Sequence, residues 1–547
     1  MSFSPGGTLQ IKKFGLAATA LAAAGVLVLA GCSSSPESDT SSASATAIIS
    51  TNGSEPQNPL IPTNTNEVGG GKILDSIFAG LVYYAADGSV HNDMAESIDT
   101  EDSQHYTVKL KADQTFSNGD PVDAESFVKA WNYGAALDNA QLSSYFFESI
   151  EGFSWDENVE EMSGLKVVDD LTFTIDLVSP QSDFALSLGY SAFYPLPASA
   201  WDDIDAFGQA PIGNGPYKLA SDDAWQHNEK ISLVVNDTYQ GDRQPKNGGL
   251  DIIFYATQDA SYADLQGDNV DVVDQIPGSA LASYQDEFDG RSVNQAVAVF
   301  QSFTIPARLE HFGGEEGELR RAAISHAINR EEITDVIFSG TRTPAHDFTS
   351  PVIDGYSEDV EGSDVLDFDE AKAQELWAEA DAISPWTGEF KIAYNADGGH
   401  AEWVDAVTNS IKNVLGIEAS GDPYPTFAEA RTKITDRTIQ TAFRTGWQGD
   451  YPSLYNFLGP IYGTGAGSND GDYSNPEFDA LLAEGRSLSD LDAANEKFQE
   501  AQTILFTDLP AIPLWYSTVN GAWGTKVSNV EFGWNSVPLY YEIEKSE

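Results

Sequence analysis

The sequence predicts a mixed α/β protein of two or three domains, and three observations lead there. Its length, 547 residues, exceeds what one compact core accommodates. Runs of period-two hydrophobicity alternate with capped amphipathic helices along the chain, and no internal repeat is present. The composition is 41% apolar with 11 Trp, 22 Tyr and 28 Phe, ample for a buried interior and against global disorder.

The amino terminus reads as a targeting segment rather than a fold element. Lys12 and Lys13 form a positive region, Phe14 to Leu29 is apolar and Ala-rich, and Leu29-Ala30-Gly31-Cys32 matches the lipobox read by lipoprotein signal peptidase. Cys32 is the only cysteine. A lone Cys is often a buried structural thiol, but this one sits at a cleavage site followed by Ser33-Ser34-Ser35. The expectation is removal of residues 1–31, lipidation of Cys32 and a tether to the outer face of the membrane. No other segment is long and apolar enough to span one. Residues 32–47 are rich in Ser, Thr and Ala without periodicity, as expected of a flexible stalk.

The fold is expected to begin at Ile48. Pro56, Pro59 and Pro62 mark a Pro-rich loop, followed by an amphipathic helix over Ile73–Leu81 that ends at Gly80. Tyr106 to Lys111 alternates as a half-buried strand. Phe116-Ser117-Asn118-Gly119-Asp120-Pro121 is a turn leading into a capped helix through Ala124 and Phe127. Leu171, Phe173, Ile175 and Leu177 define another strand. Pro211-Ile212-Gly213-Asn214-Gly215-Pro216 punctuates the chain. It is not a phosphate cradle, because no helix-opening pattern follows and Pro216 removes a donor. Further helices are expected at Glu318–Phe338, Asp369–Ala380, Trp403–Leu415, Pro476–Ala483 and Asp492–Phe506. Ala511 to Tyr516 returns as a strand.

The chemistry concentrates in Phe443-Arg444-Thr445-Gly446-Trp447-Gln448-Gly449-Asp450-Tyr451-Pro452. It starts as a strand and breaks at Gly449 and Asp450 into a turn that Pro452 keeps out of a central strand. One cation, one large aromatic and one anion fall within seven residues. On an extended backbone Arg444 and Asp450 would lie about 20 Å apart, close to the span of a short extended peptide with a charge at each end. The residues alone favour an ordinary turn and a core Trp447.

Charge narrows the function. Against 28 Lys+Arg stand 85 Asp+Glu, a formal net charge of −57, which repels nucleic acid and anionic membrane surfaces. Catalytic patterns are missing. The seven His residues form no His-Glu-x-x-His, and no Gly-x-Ser-x-Gly elbow occurs. Ser163-x-x-Lys166 lacks the Lys-Thr-Gly that accompanies it in penicillin-binding proteins. Gly69-Gly70-Gly71-Lys72 is an incomplete P-loop, and Gly463 to Gly467 lacks a third Rossmann glycine. Asn469-Asp470-Gly471-Asp472 misses the spacing and terminal Glu of an EF-hand and reads better as a solvated loop.

The stretch around Asp450 resembles the dipeptide- and oligopeptide-binding lipoproteins of ABC importers, extracytoplasmic solute-binding protein family 5. Other stretches resemble that family in the right order. They are Asn52-Gly53-Ser54-Glu55, the Phe-Ser-x-Gly-x-Pro-Val-x-Ala-x-x-Phe unit at Phe116–Phe127, and Gly213-Asn214-Gly215-Pro216-Tyr217. The hairpin-like Leu-x-x-Gly-x-x-Asp at Leu265–Asp271 and the Ala- and Ile-rich helix at Glu318–Phe338 follow. Position 453 departs, with Ser where many members have Asp. The resemblance implies a two-lobed, type II periplasmic-binding-protein-like α/β fold hinged by crossing strands, with an extra domain enlarging the first lobe. Residues 48–78, 211–304 and 511–547 would form a discontinuous first lobe, 79–210 the extra domain and 305–510 the second lobe.

It further implies a non-enzymatic binder of short peptides without cofactor or metal. Asp450 would hold the peptide amine and Arg444 its carboxyl end. The backbone would pair with Gly446, Trp447 and Gln448, and with a second rail near Asn66 to Val68. A monomer tethered outside the cell would deliver peptides to ABC permease and ATPase subunits. Relatives that carry nickel chelates, haem, oligosaccharides or opines, peptide-pheromone receptors, and a surface hydrolase are the rival readings.

Overall fold

The computed structural model describes residues 46–546; the predicted signal peptide, Cys32 and most of the predicted stalk lie outside the described residues. Strand β1 (Ile48–Gly53) opens the fold where the sequence places its start, and helix α1 (Val68–Ile77) follows. A four-stranded antiparallel sheet comes next, formed by β2 (Ala95–Asp99), β3 (His105–Leu110), β4 (Leu165–Asp169) and β5 (Thr172–Asp176) in the order β2-β3-β5-β4. Helix α2 (Ala124–Ala135) covers it. Its start is set by a capping box in which Asp123 and Ser126 satisfy each other's backbone N–H groups. Trp131 on α2 is fully buried, stacks edge-on to Phe173 and Phe193, and donates its Nε1–H to the Phe193 carbonyl at 3.0 Å.

The chain then forms β6 (Tyr217–Leu219), β7 (Lys230–Val235), β8 (Gly249–Phe254), α3 (Gln258–Gln266), β9 (Val272–Val273) and the 13-residue β10 (Ser292–Thr304). Next are α4 (Gly314–His326), α5 (Arg330–Phe338), α6 (Glu370–Ile383), β11 (Glu389–Asn395), α7 (Ala401–Leu415) and β12 (Glu418–Tyr424). The last stretch carries α8 (Phe427–Thr435), β13 (Ala442–Gln448), α9 (Leu454–Tyr462), α10 (Pro476–Arg486), α11 (Leu491–Asp508) and β14 (Ala511–Trp523). The main mixed sheet runs β12-β11-β13-β10-β14-β9-β1-β8-β7-β6.

Two large hydrophobic cores flank this sheet. One contains Ile49, Ile73, Phe127, Trp131 and Leu250 together with Val297 and Val519; the other contains Phe300, Phe303, Ile392, Phe457 and Trp515. Strands β10 and β14 pass from one core to the other, and their register slips between Ala296 and Phe300, where the cores meet. The glycine-proline run closes tightly on the end of α1. The Gly215 N–H donates to the Ile77 carbonyl at 2.8 Å, and a Cβ on Gly213 would lie 1.8 Å from that oxygen.

Three expectations are corrected. The first helix begins at Val68, five residues before Ile73, because the Glu67 side chain caps it by accepting from the Gly70 N–H at 2.8 Å. Gly69 is required there, since a Cβ would meet Ser54 at 2.4 Å. The segment Glu318–Phe338 is two helices, broken at residues 327–329. Asn329 caps α5, and the buried Arg330 guanidinium turns in to donate to the carbonyls of Pro513, Ser325 and Leu366. Leu265–Asp271 is no hairpin. It is the end of α3, which starts at the cap Thr257, and the turn into β9.

Candidate ligand-binding cleft

Strand β13 pairs antiparallel with β10 from Phe443 to Gln448. On its other edge β11 reaches only Ala442 and Phe443. Among the described residues no strand covers that edge from Arg444 to Gln448. Gly449 then anchors the turn by donating its N–H to the Ala298 carbonyl at 2.8 Å. Ser453, the position that departs from the family pattern, caps α9 by accepting from the Tyr455 N–H at 3.1 Å. The uncovered edge faces a cavity of about 780 Å³ walled by both cores.

Asp450 projects from the turn into this cavity. Asn456 on α9 fixes it: its Oδ1 accepts the Asp450 N–H at 2.9 Å and the Trp447 Nε1–H at 3.1 Å, while its Nδ2 donates to Asp450 Oδ2 at 3.1 Å. Among the described residues Asp450 has no ion pair, and its Oδ1 accepts no hydrogen bond. Burial without a cation lifts its pKa to about 7, against the smaller opposing pull of the Asn456 bond. Tyr145 and Tyr190 line the same cavity, close enough to feel this carboxylate. Burial and that negative charge hold both phenols well above their usual range.

Arg444 lines the cavity too, and its buried Nε has no partner among the described residues. Burial lowers its pKa to about 10. The other lining cations are paired: Lys72 with Asp274, Arg243 with Asp93 at 3.0 Å, and Arg431 with Asp470 at 2.5 Å. A cavity with an unpaired carboxylate, an unpaired guanidinium and an open strand edge can take an extended zwitterion, its backbone adding a strand to β13.

Every predicted binding residue borders this cavity: Arg444, Gly446, Trp447, Gln448, Asp450, Asn66 and Val68. Val68 requires a correction, because it is the first residue of α1 and its helical backbone does not extend a strand rail. The extended backbone stops at Glu67. Sequence reasoning missed Asn456, Asp75, Tyr145, Tyr190 and Arg431. Asn456 had one legible sign, three residues after a Ser on the first turn of a helix. The loop weighed as a calcium site is filled by guanidinium groups instead, with Asp470 and Asp472 paired to Arg308, Arg431 and Arg437. Lys166, of the serine–lysine spacing, pairs on the surface with Asp176 at 2.8 Å.

Comparison with known proteins agrees with this architecture. Residues 89–469 match the family described as bacterial extracellular solute-binding proteins, family 5. The oligopeptide-binding protein OppA of Bacillus subtilis (strain 168) is 24% identical over 478 residues, covering 84% of this chain and 85% of its own. The dipeptide-binding protein DppE of the same organism is also 24% identical, covering 81% and 82%. The murein tripeptide binding protein MppA of Escherichia coli superposes with a TM-score of 0.79 at 19% identity, over 93% of this chain and all of that one. Haemophilus influenzae OppA, solved in complex with RPPGFSPFR, superposes with a TM-score of 0.76 at 22% identity, over 92% and 100%. With a two-lobed α/β fold and the family's profile matched across most of its length, this chain belongs to the bacterial extracellular solute-binding proteins of family 5.

Proposed function

We propose that this chain is the substrate-binding component of an ABC importer, which captures short peptides between its lobes and delivers them to a membrane permease and its ATPase. The observation that carries this reading is the Asp450 carboxylate, held in the cavity by Asn456 without a cation beside an uncovered strand edge. In this reading the peptide amine pairs with Asp450 and the main chain pairs along Gly446, Trp447 and Gln448. Arg444 meets a carboxyl end, and Asn66 borders the opposite wall. Main-chain pairing is indifferent to side-chain identity, so one site accepts many sequences. The relatives named for dipeptides and oligopeptides and the complex with RPPGFSPFR favour peptides over the clan's other cargoes.

The same reading makes the protein a binder rather than a hydrolase. It places the protein outside the cell as a monomer anchored through Cys32, with lobes drawn at 48–78 plus 211–304 plus 511–547 and at 305–510, and an extra domain at 79–210. Among the described residues no helix is long and apolar enough to cross a membrane, so attachment would rest on the lipid. Titrating the protein calorimetrically with a free-amine tripeptide and with its N-acetylated form tests the core of the reading. Tight binding of the first and loss of the second is the expected result, whereas equal affinity would remove the role of Asp450.

A further inference from the structure

We propose that the cleft selects peptides bearing a basic side chain close to the free amine, with Asp75 receiving that second cation while Asp450 receives the first. This rests on the peptide-binding reading of the same cleft and concerns its charge balance. Of the charged groups lining the cavity, Lys72, Arg243, Arg431 and Asp470 are neutralised by protein partners. Asp75, Asp450, Glu67 and Arg444 have no ion pair among the described residues. Glu67 is engaged by the first turn of α1, accepting from the Gly70 N–H. A zwitterionic peptide satisfies Asp450 and Arg444, and Asp75 is left without an ion pair among the described residues, the one cation favouring its charge being the nearby Arg243 guanidinium that Asp93 already pairs.

Asp75 sits on the last turns of α1, whose Ile73, Leu74 and Ile77 belong to the first core, and lines the same cavity as Asp450. Its Oδ1 accepts from the Tyr194 hydroxyl at 2.8 Å, and its Oδ2 accepts nothing among the described residues. Arg243 is nearby but is directed elsewhere. It donates to the Asp93 carboxylate and to the carbonyl oxygens of Asp75 and Phe78, not to the Asp75 carboxylate. Tyr84 and Tyr190 line the cavity together with both acids, and the negative charges of Asp75 and Asp450 each oppose ionisation of these phenols. The orphaned Nε of Arg444 marks the opposite demand, a carboxylate. The ligand that answers all three groups carries two positive charges near its amine end and one negative charge further on.

The test is calorimetric titration of the full chain with Ala-Ala-Ala, Lys-Ala-Ala, Ala-Lys-Ala and their norleucine counterparts, which keep the aliphatic stem without the charge. The expected result is a lysine peptide binding at least about tenfold more tightly than its norleucine counterpart, the size of one charge-assisted contact. In Asp75→Asn, which keeps an acceptor for Tyr194, the lysine-to-norleucine ratio should fall close to one, whatever the absolute affinity. Equal binding of lysine and norleucine peptides by the unaltered protein overturns this inference and leaves the peptide-binding reading standing. A lysine preference that survives Asp75→Asn overturns the assignment to Asp75. Failure of every peptide to bind removes the proposed function, and the inference with it.

Discussion

Asn456 and Asp450 hold each other in both directions: the amide oxygen of Asn456 accepts the Asp450 N–H at 2.9 Å and its Nδ2 donates to the Asp450 carboxylate at 3.1 Å. The same amide oxygen also takes the Trp447 indole N–H. One side chain on α9 thus orients the acid and the aromatic that border the open edge of β13. It does so without neutralising the acid, and a cationic ligand supplies what the protein withholds.

Replacing Asp450 by Ala should weaken binding of free-amine peptides on the order of 10²-fold or more, from the roughly 3–5 kcal/mol cost of leaving a buried charge unpaired. Calorimetry on the variant decides it. Unchanged affinity would place the amine elsewhere.

The pH dependence follows from the raised pKa of Asp450, about 7. Below that pH the empty site is mostly protonated, and an ammonium must displace the proton to pair. Affinity for free-amine peptides should therefore fall by about tenfold per unit as pH drops below 7, with proton release visible when buffers of different ionisation enthalpy are compared. Stability runs the other way. Between the unfolded value of 3.8 and about 7 the folded state binds more protons, so the group lowers stability as pH rises through that window. Asp450→Asn should remove both slopes.

Arg444→Gln should weaken peptides with a free carboxyl end by about tenfold, the worth of one hydrogen bond to a charged group, and leave their C-terminal amides little changed. The ligand-free variant should melt no lower than the parent, because the buried guanidinium Nε has no partner among the described residues to lose. A loss of affinity equal for acid and amide would argue against a carboxylate contact.

Asp183 contacts the turn that carries Asp450 from a segment 270 residues away. Its Oδ2 accepts from the Tyr451 hydroxyl at 3.0 Å and from Ser453 Oγ at 3.2 Å, with Arg486 3.6 Å from Oδ1. Asp183→Ala should raise the ligand dissociation rate about tenfold by freeing that turn, a loss of roughly 1.4 kcal/mol. Stopped-flow displacement measures it, and a lowered melting temperature with unchanged dissociation would make Asp183 structural only.

Gly213→Ala should destabilise by roughly 1–3 kcal/mol, the range for overpacking, because its Cβ would fall 1.8 Å from the Ile77 carbonyl oxygen. A thermal melt equal to that of the parent would show that the α1 end yields at no cost.

The capped helices were legible because their signals are local. Asn475 before Pro476 and Gly416 after Leu415 act within one turn, and the structure shows them doing so. Val68 was misread for a reason also local in form, since three consecutive glycines weaken any helix. What overrides that propensity is the Glu67 cap on the Gly70 N–H, while Ser54, packed where a side chain at 69 would stand, demands the glycine. The break at residues 327–329 was hidden because Arg330 takes its carbonyl partners from residues as distant as Pro513.

By itself the sequence determined the alternation of strand and helix, the strand ending in a Gly-Asp turn, and a cation and an anion six residues apart. These follow from side-chain period and backbone preference over a few residues. Only the tertiary structure decided which charges stay unpaired. Lys72, Arg243 and Arg431 find oppositely charged partners 202, 150 and 39 residues away, and Asp450 and Arg444 find none among the described residues. Pairing of charges depends on which segments the fold brings within about 4 Å, and no local pattern along the chain encodes that.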